Sequence, residues 1–268
     1  MKLLQAIQTL GLKESLKCAK KFAAELGLDW DADVKFVFSV IVHDEGRVPG
    51  NISGDTEQQA IKKWLEKYKS GYDNRASQRV SNLPGTVADP IIEKIIGARL
   101  DHLSDDDLVK ITYAHRLGMS AENILGLLLE EYFATRLRGK GWHCAWGETV
   151  KSVDFVNEHG NLLQINRSNS ENSSSSAVRH GTEIDKWFRI KADRVEYMWG
   201  KLNQICGTKN LSEEDFVKFA MACIKQNPSS LAVESKNPWL EMTASFSPIS
   251  RASSSRRRNW ARLFPATR

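Results

Sequence analysis

The chain has 268 residues, 41% of them hydrophobic and 26% charged, with only 7 prolines. That composition excludes disordered, collagenous and coiled-coil classes and leaves an ordinary folded protein that can bury a core. No stretch approaches the roughly 20 consecutive apolar residues of a membrane span. The N-terminal MKLLQAIQTLGLKESLKCAKK has helical apolar spacing and no small-residue cleavage pattern, so a cytoplasmic protein without membrane contact is expected. The net charge of +5 is concentrated at one end: residues 251–268 carry six arginines and no acid, which leaves the first 250 residues at −1. Any case for a polyanionic partner therefore rests on local motifs rather than on overall charge. Cys18, Cys144, Cys206 and Cys223 lie too far apart for a paired zinc framework and are too few for a disulfide scaffold, so they read as reduced thiols, mostly buried.

Residues 1–117 read as a mainly helical lobe, with helices near 2–10, 13–27, 55–69, 88–100 and 105–117. Asp55 and Ser104 are available as N-caps, and Gly71 and Gly118 as C-terminal stops. The apolar run VKFVFSVIV (34–42) fits a buried strand or a buried helix equally. The polar segment 71–90, with Arg75 and Arg79 among Asn, Ser and Gln side chains, is either a surface connection or a loop that contacts DNA.

From 118 to 235 the pattern changes to a helix from Ser120 to about Arg138, then three short β-like runs at 142–146, 152–156 and 162–166. The last two runs flank the turn NEHGN. A polar stretch (167–181) follows. Thr182 and Asp185 then suggest the start of a long helix, because Ile184, Trp187, Phe188, Val195, Trp199, Leu202 and Ile205 recur at helical spacing. A further helix spans 212–226, capped by Ser212. Residues 236–268 form a Ser/Arg-rich tail that is expected to be disordered.

The acids fall at particular places on this pattern. On the helix from Ser120, Glu131 points from the middle of the apolar stripe formed by Ile124, Leu127, Leu128 and Ala134, whereas Glu130 lies toward its edge. A carboxylate in an apolar stripe needs a partner, a metal ion being one. Asp154 stands within the second strand, and Gln164 and Asn166 share one face of the third. An acid and an amide oxygen in paired strands can converge on a hard cation such as Mg²⁺. The alternative is an edge-strand acid, a snorkelling glutamate and an incidental polar residue.

The stretch GWHCAWGETVKSVDFVNEHGNLLQINRSNSENSSSSAVRHGTEIDKWFRI, with GYDNRASQRVSNLPGTVADPI upstream, resembles the SinI family of type II restriction endonucleases over most of 55–240. The resemblance implies an α/β fold with a restriction-endonuclease-like core: a helix, a three-stranded mixed sheet and helices, beside the helical N-terminal lobe. It also implies Mg²⁺-dependent hydrolysis of double-stranded DNA at GGWCC, a homodimer on a two-fold site, and a cognate cytosine methyltransferase as functional partner. Asp154, Gln164 and Glu131 would be the metal ligands, with Asn166 at the place of the signature lysine. Arg167, Ser168, Asn169, Asn172 and Arg179 would be DNA contacts, the alternative being a flexible Ser-rich linker, and Lys186, Arg189 and Arg194 would be contacts to the DNA backbone from a helix, the alternative being a solvated basic face. The family pattern asks for Lys two positions after the second acid, and this chain reads Gln164-Ile165-Asn166. A DNA-binding relative of the same fold with impaired cleavage is therefore the competing reading.

Overall fold

The structure, a computed structural model, describes residues 1–85, 87–168, 183–191 and 193–241. The chain divides into two compact units, one of residues 1–80 with 123–230 and one of residues 81–122 with 231–268.

In the first unit, α1 (Leu3–Glu25) is interrupted at Gly11, whose φ of 71° separates two helical segments, much as the spacing on either side of it predicts. The apolar run left open between strand and helix is a helix, α2 (Lys35–His43), with Val37, Phe38 and Ile41 buried on one side. Thr56 caps α3 (Glu57–Asp73) by accepting a hydrogen bond from the Gln59 amide at 3.2 Å. The α3 stripe Ala60, Ile61, Trp64, Leu65 and Tyr68 is buried. Phe38 meets the Trp64 ring edge-on at 4.9 Å, and the Trp64 indole N–H donates to the Thr149 carbonyl at 2.8 Å. Gly71 does not stop this helix. Its missing side chain instead admits the loop before Thr149, since a Cβ there would sit 2.3 Å from the Gly147 nitrogen.

The expected helices 105–117 and 120–138 are one continuous helix, α5 (Asp105–Arg136). A lone glycine such as Gly118 costs a helix only about 1 kcal/mol, too little to end one that is held by packing. The three expected strands are β1 (Trp142–Cys144), β2 (Phe155–Asn157) and β3 (Leu162–Ser168), successive neighbours in antiparallel pairs. Asn157 closes the β2–β3 turn, its side-chain oxygen accepting from the amides of His159 and Asn161 at 3.0 and 2.8 Å.

The main departure from the sequence expectation is β4 (Ile184–Ile190), which was read as the start of a long helix. It pairs in parallel with β3, giving a four-stranded sheet in the order β1-β2-β3-β4 among the described residues. The apolar spacing there misleads because both faces of this strand are covered. Ile184 is buried on one side and Trp187 on the other, so no clean alternation survives. Trp187 packs on Phe133 of α5 at 5.3 Å, and its indole donates to the Met198 carbonyl at 2.8 Å. Helix returns only at α6 (Trp199–Ile205), followed by α7 (Glu213–Gln226), where the Ser212 hydroxyl accepts from the Asp215 amide as expected.

In the second unit, Asp89 caps α4 (Pro90–Arg99), a helix without a buried residue; Ile91, Ile92 and Ile95 are 51%, 50% and 62% exposed. A short α8 (Pro238–Glu241) lies at the start of the expected tail, and the rest of that tail, 242–268, is outside the described residues.

Candidate active site

Asp154 stands one position before β2, where that strand and β3 part. Its backbone N–H donates to the Leu163 carbonyl at 3.0 Å, its carbonyl accepts from Ala145 at 2.8 Å, and its Oδ2 accepts from the Ile165 amide at 2.7 Å. The carboxylate is thus fixed against the backbone of β3, beside Gln164. Gln164 is half-buried, and its Oε1 is buried without a hydrogen-bond partner. A buried amide oxygen left unsatisfied costs about 1–3 kcal/mol, so its retention next to a held carboxylate points to a ligand.

The long helix brings two adjacent glutamates, and their surroundings differ. Glu131 is buried, as expected of its place in the stripe. Its partners lie in the segment after α3: the Ser77 amide donates to Oε2 at 2.7 Å, the Ser77 hydroxyl donates to Oε1, and Arg75 Nε lies 3.3 Å from Oε1. Burial raises the Glu131 pKa, and these donors oppose the rise. Three donors from that segment thus hold its oxygens, and none of these partners belongs to the sheet that carries Asp154.

The neighbouring Glu130 lies within electrostatic reach of two other acids. Burial, then Asp154, then Glu148 push its carboxyl from an ordinary 4.5 up to about 8. It fell at the edge of the apolar stripe, and that edge placement was the available signal: a group there can look along the sheet instead of into the core. Among the described residues no group of three or more His, Cys, Asp or Glu is disposed to hold a metal. The oxygen groups around Asp154 are its own carboxylate, the Glu130 carboxyl within reach of its charge, and the Gln164 amide oxygen. All are oxygens, the donor type that Mg²⁺ takes.

The expected DNA contacts separate. Arg167 is exposed near the end of β3 and Ser168 half-buried beside it; Asn169, Asn172 and Arg179 lie outside the described residues. Lys186 and Arg189 are on β4 and not on a helix. Arg189 pairs with Glu213, and Arg194 with Asp193 and Glu196. Arg75, in the segment considered for DNA contact, is turned inward: its guanidinium lies 4.2 Å from the Tyr72 ring centroid and its Nη1 donates to the Tyr72 carbonyl at 2.7 Å. The four cysteines are free, and all but Cys18 are buried. His143 stacks on Phe36, with Nδ1 2.8 Å from Asp33 Oδ1. No helix among the described residues is long and apolar enough to cross a membrane.

A carboxylate and an amide oxygen where two strands part, with a second carboxyl on the long helix, belong to a mixed α/β protein that gathers acidic oxygens on one side of its sheet. The family model described as SinI restriction endonuclease matches residues 53–226, which include every member of that site. Type II restriction enzyme SinI of Salmonella infantis is 31% identical over 200 residues, 70% of this chain and 86% of that protein. Type II restriction enzyme Eco47I of Escherichia coli is 42% identical over 142 residues, 51% of this chain. The match spans 61% of Eco47I's own length. The chain belongs to the SinI restriction endonuclease family.

Proposed function

We propose that this protein is a type II site-specific deoxyribonuclease that binds double-stranded DNA, at GGWCC by its resemblance to the family, and hydrolyses phosphodiester bonds with Mg²⁺. The observation that carries the reading is the Asp154 carboxylate anchored on the Ile165 amide beside the buried, unpartnered Gln164 oxygen, with Glu130 close enough for its carboxyl to feel the Asp154 charge. Asp154, Gln164 and Glu130 would hold the cation, Glu130 replacing Glu131 in the expected set. When bound, the cation lowers the pKa of water and neutralises charge that builds on the scissile phosphate. The Ile165 N–H fixes the direction of Asp154, and the Glu131 contacts with Ser77 and Arg75 hold the turn of α5 that carries Glu130. Exposed Arg167 and neighbouring Ser168 suit DNA contact just beyond the site, with Asn169, Asn172 and Arg179 next in the chain.

A two-fold site favours a homodimer, with one active site for each strand. The exposed isoleucines of α4 are the apolar surface that supports a second copy. The protein would act in the cytoplasm beside a cytosine methyltransferase that protects host sites. A specific observation favours the second reading, a binding protein that cleaves poorly: Asn166 occupies the signature position, and an amide cannot supply a positive charge. Digestion of unmethylated DNA carrying GGWCC, with and without Mg²⁺, separates the two. Mg²⁺-dependent double-strand cuts are expected; specific binding with no cut product rejects the enzyme.

A further inference from the structure

The positive charge missing from Gln164-Ile165-Asn166 has another source one strand away. In the parallel pairing of β3 with β4, Gln164 stands opposite Lys186, and Ile165, whose amide holds Asp154, stands opposite Trp187. Partners in such a register share a face, and adjacent strands lie about 4.8 Å apart. The four-carbon stem of lysine spans that gap. Trp187 is fully buried against Phe133 and Trp199, which pins the register, and Lys186 is half-buried on the Gln164 face.

We infer that Lys186, from β4, supplies at the Asp154–Gln164 site the cation that the Gln164-Ile165-Asn166 stretch lacks. The residue read as a backbone-phosphate contact on a helix is thereby a candidate catalytic group. Its ammonium would orient the attacking water and offset the negative charge that grows on the phosphate during hydrolysis. Asn166, two positions along β3 and on the same face, is the nearest place from which a second lysine could reach the same point. This use of Lys186 rests on the nuclease reading, whereas its position rests on strand register alone.

Two measurements on the full chain keep those apart. A unit positive charge about 6 Å from a divalent ion weakens its binding about tenfold even at the dielectric of water. Calorimetric titration with Ca²⁺, without DNA, should therefore show Lys186→Met binding about tenfold more tightly than wild type. Adding Asn166→Lys to that variant should weaken binding again. In Mg²⁺, Lys186→Met should cut GGWCC DNA at least about a hundredfold more slowly, as loss of a positioned proton-handling group does. The Asn166→Lys, Lys186→Met double variant should recover cutting. Ca²⁺ binding by Lys186→Met that is no tighter than wild type overturns the inference, as does wild-type cutting by that variant. The expected Ca²⁺ shift in a chain that cuts no DNA refutes the nuclease reading and upholds the position of the cation.

Discussion

Glu130→Gln gives a sign and a size that can be checked without any DNA. The unfolded chain releases this proton near pH 4.5, and the folded protein releases it only near 8, because burial and the Asp154 and Glu148 carboxylates oppose ionisation. The folded state is therefore penalised progressively as pH rises between those values; the stability contributed by the neutral acid is whole below 4.5 and gone above about 8. The full difference corresponds to an upper bound of about 5 kcal/mol, and water entering a partly exposed site lowers the measured figure to about 2–3 kcal/mol. Glutamine preserves the shape and carries no charge, so the variant should match wild type near pH 4.5 and exceed it by that margin at pH 8.5. Urea unfolding followed by circular dichroism across this range measures both. Mg²⁺ at pH 8.5 should narrow the gap by stabilising wild type more than the variant. A stability difference that stays constant from pH 4.5 to 8.5 would refute the placement of Glu130 among the acids.

Glu131→Ala should do the opposite: it leaves the Ser77 amide and Arg75 without their acceptor and should cost about 3 kcal/mol in urea unfolding, while cleavage per folded molecule falls by about tenfold because the turn that carries Glu130 is loosened but the ligands remain. Loss of cutting at unchanged stability would return the helix acid to Glu131. Trp187→Ala removes a fully buried indole from between Phe133 and Trp199 and should cost about 3–5 kcal/mol, a loss that a residue on an exposed helix face would not produce. Gly71→Ala forces a methyl group into the Gly147 backbone; a lowered thermal midpoint is expected, and an unchanged one would mean the two segments do not touch.

Much of the scaffold was legible in the chain. Hydroxyl caps at Ser104 and Ser212, the Asn157–Gly160 turn and three short apolar runs are local signals, and local signals survive folding; the α3 cap is Thr56, one position after the Asp55 expected there. Asp154 and Gln164 were legible for the same reason, since one hairpin brings them together. What escaped was tertiary. β4 buries side chains on both faces, so its apolar residues carry no period that separates strand from helix. Glu131 was correctly read as buried, but its partners Ser77 and Arg75 lie 54 and 56 positions upstream, in a segment with no sequence mark of that role. Helical spacing could rank two adjacent glutamates by burial; it could not say which would feel the Asp154 charge, and Glu130 does. Gly118 was given too much weight as a stop, because packing along α5 outweighs one weak propensity.

The tether between Glu131 and the Arg75–Ser77 turn also bears on where this protein could be divided. The shift in residue usage near 117 invites excision of everything before it as a detachable neighbour. Such a cut would strip the amide and hydroxyl of Ser77 and the Arg75 guanidinium from a buried anion one residue away from Glu130. It would also take away the Trp64 indole that donates to the Thr149 carbonyl and the Gly71 backbone against which Gly147 packs. The amino-terminal helices are thus part of the frame around the acids, and a shortened protein would be expected to lose its fold before its chemistry could be assayed.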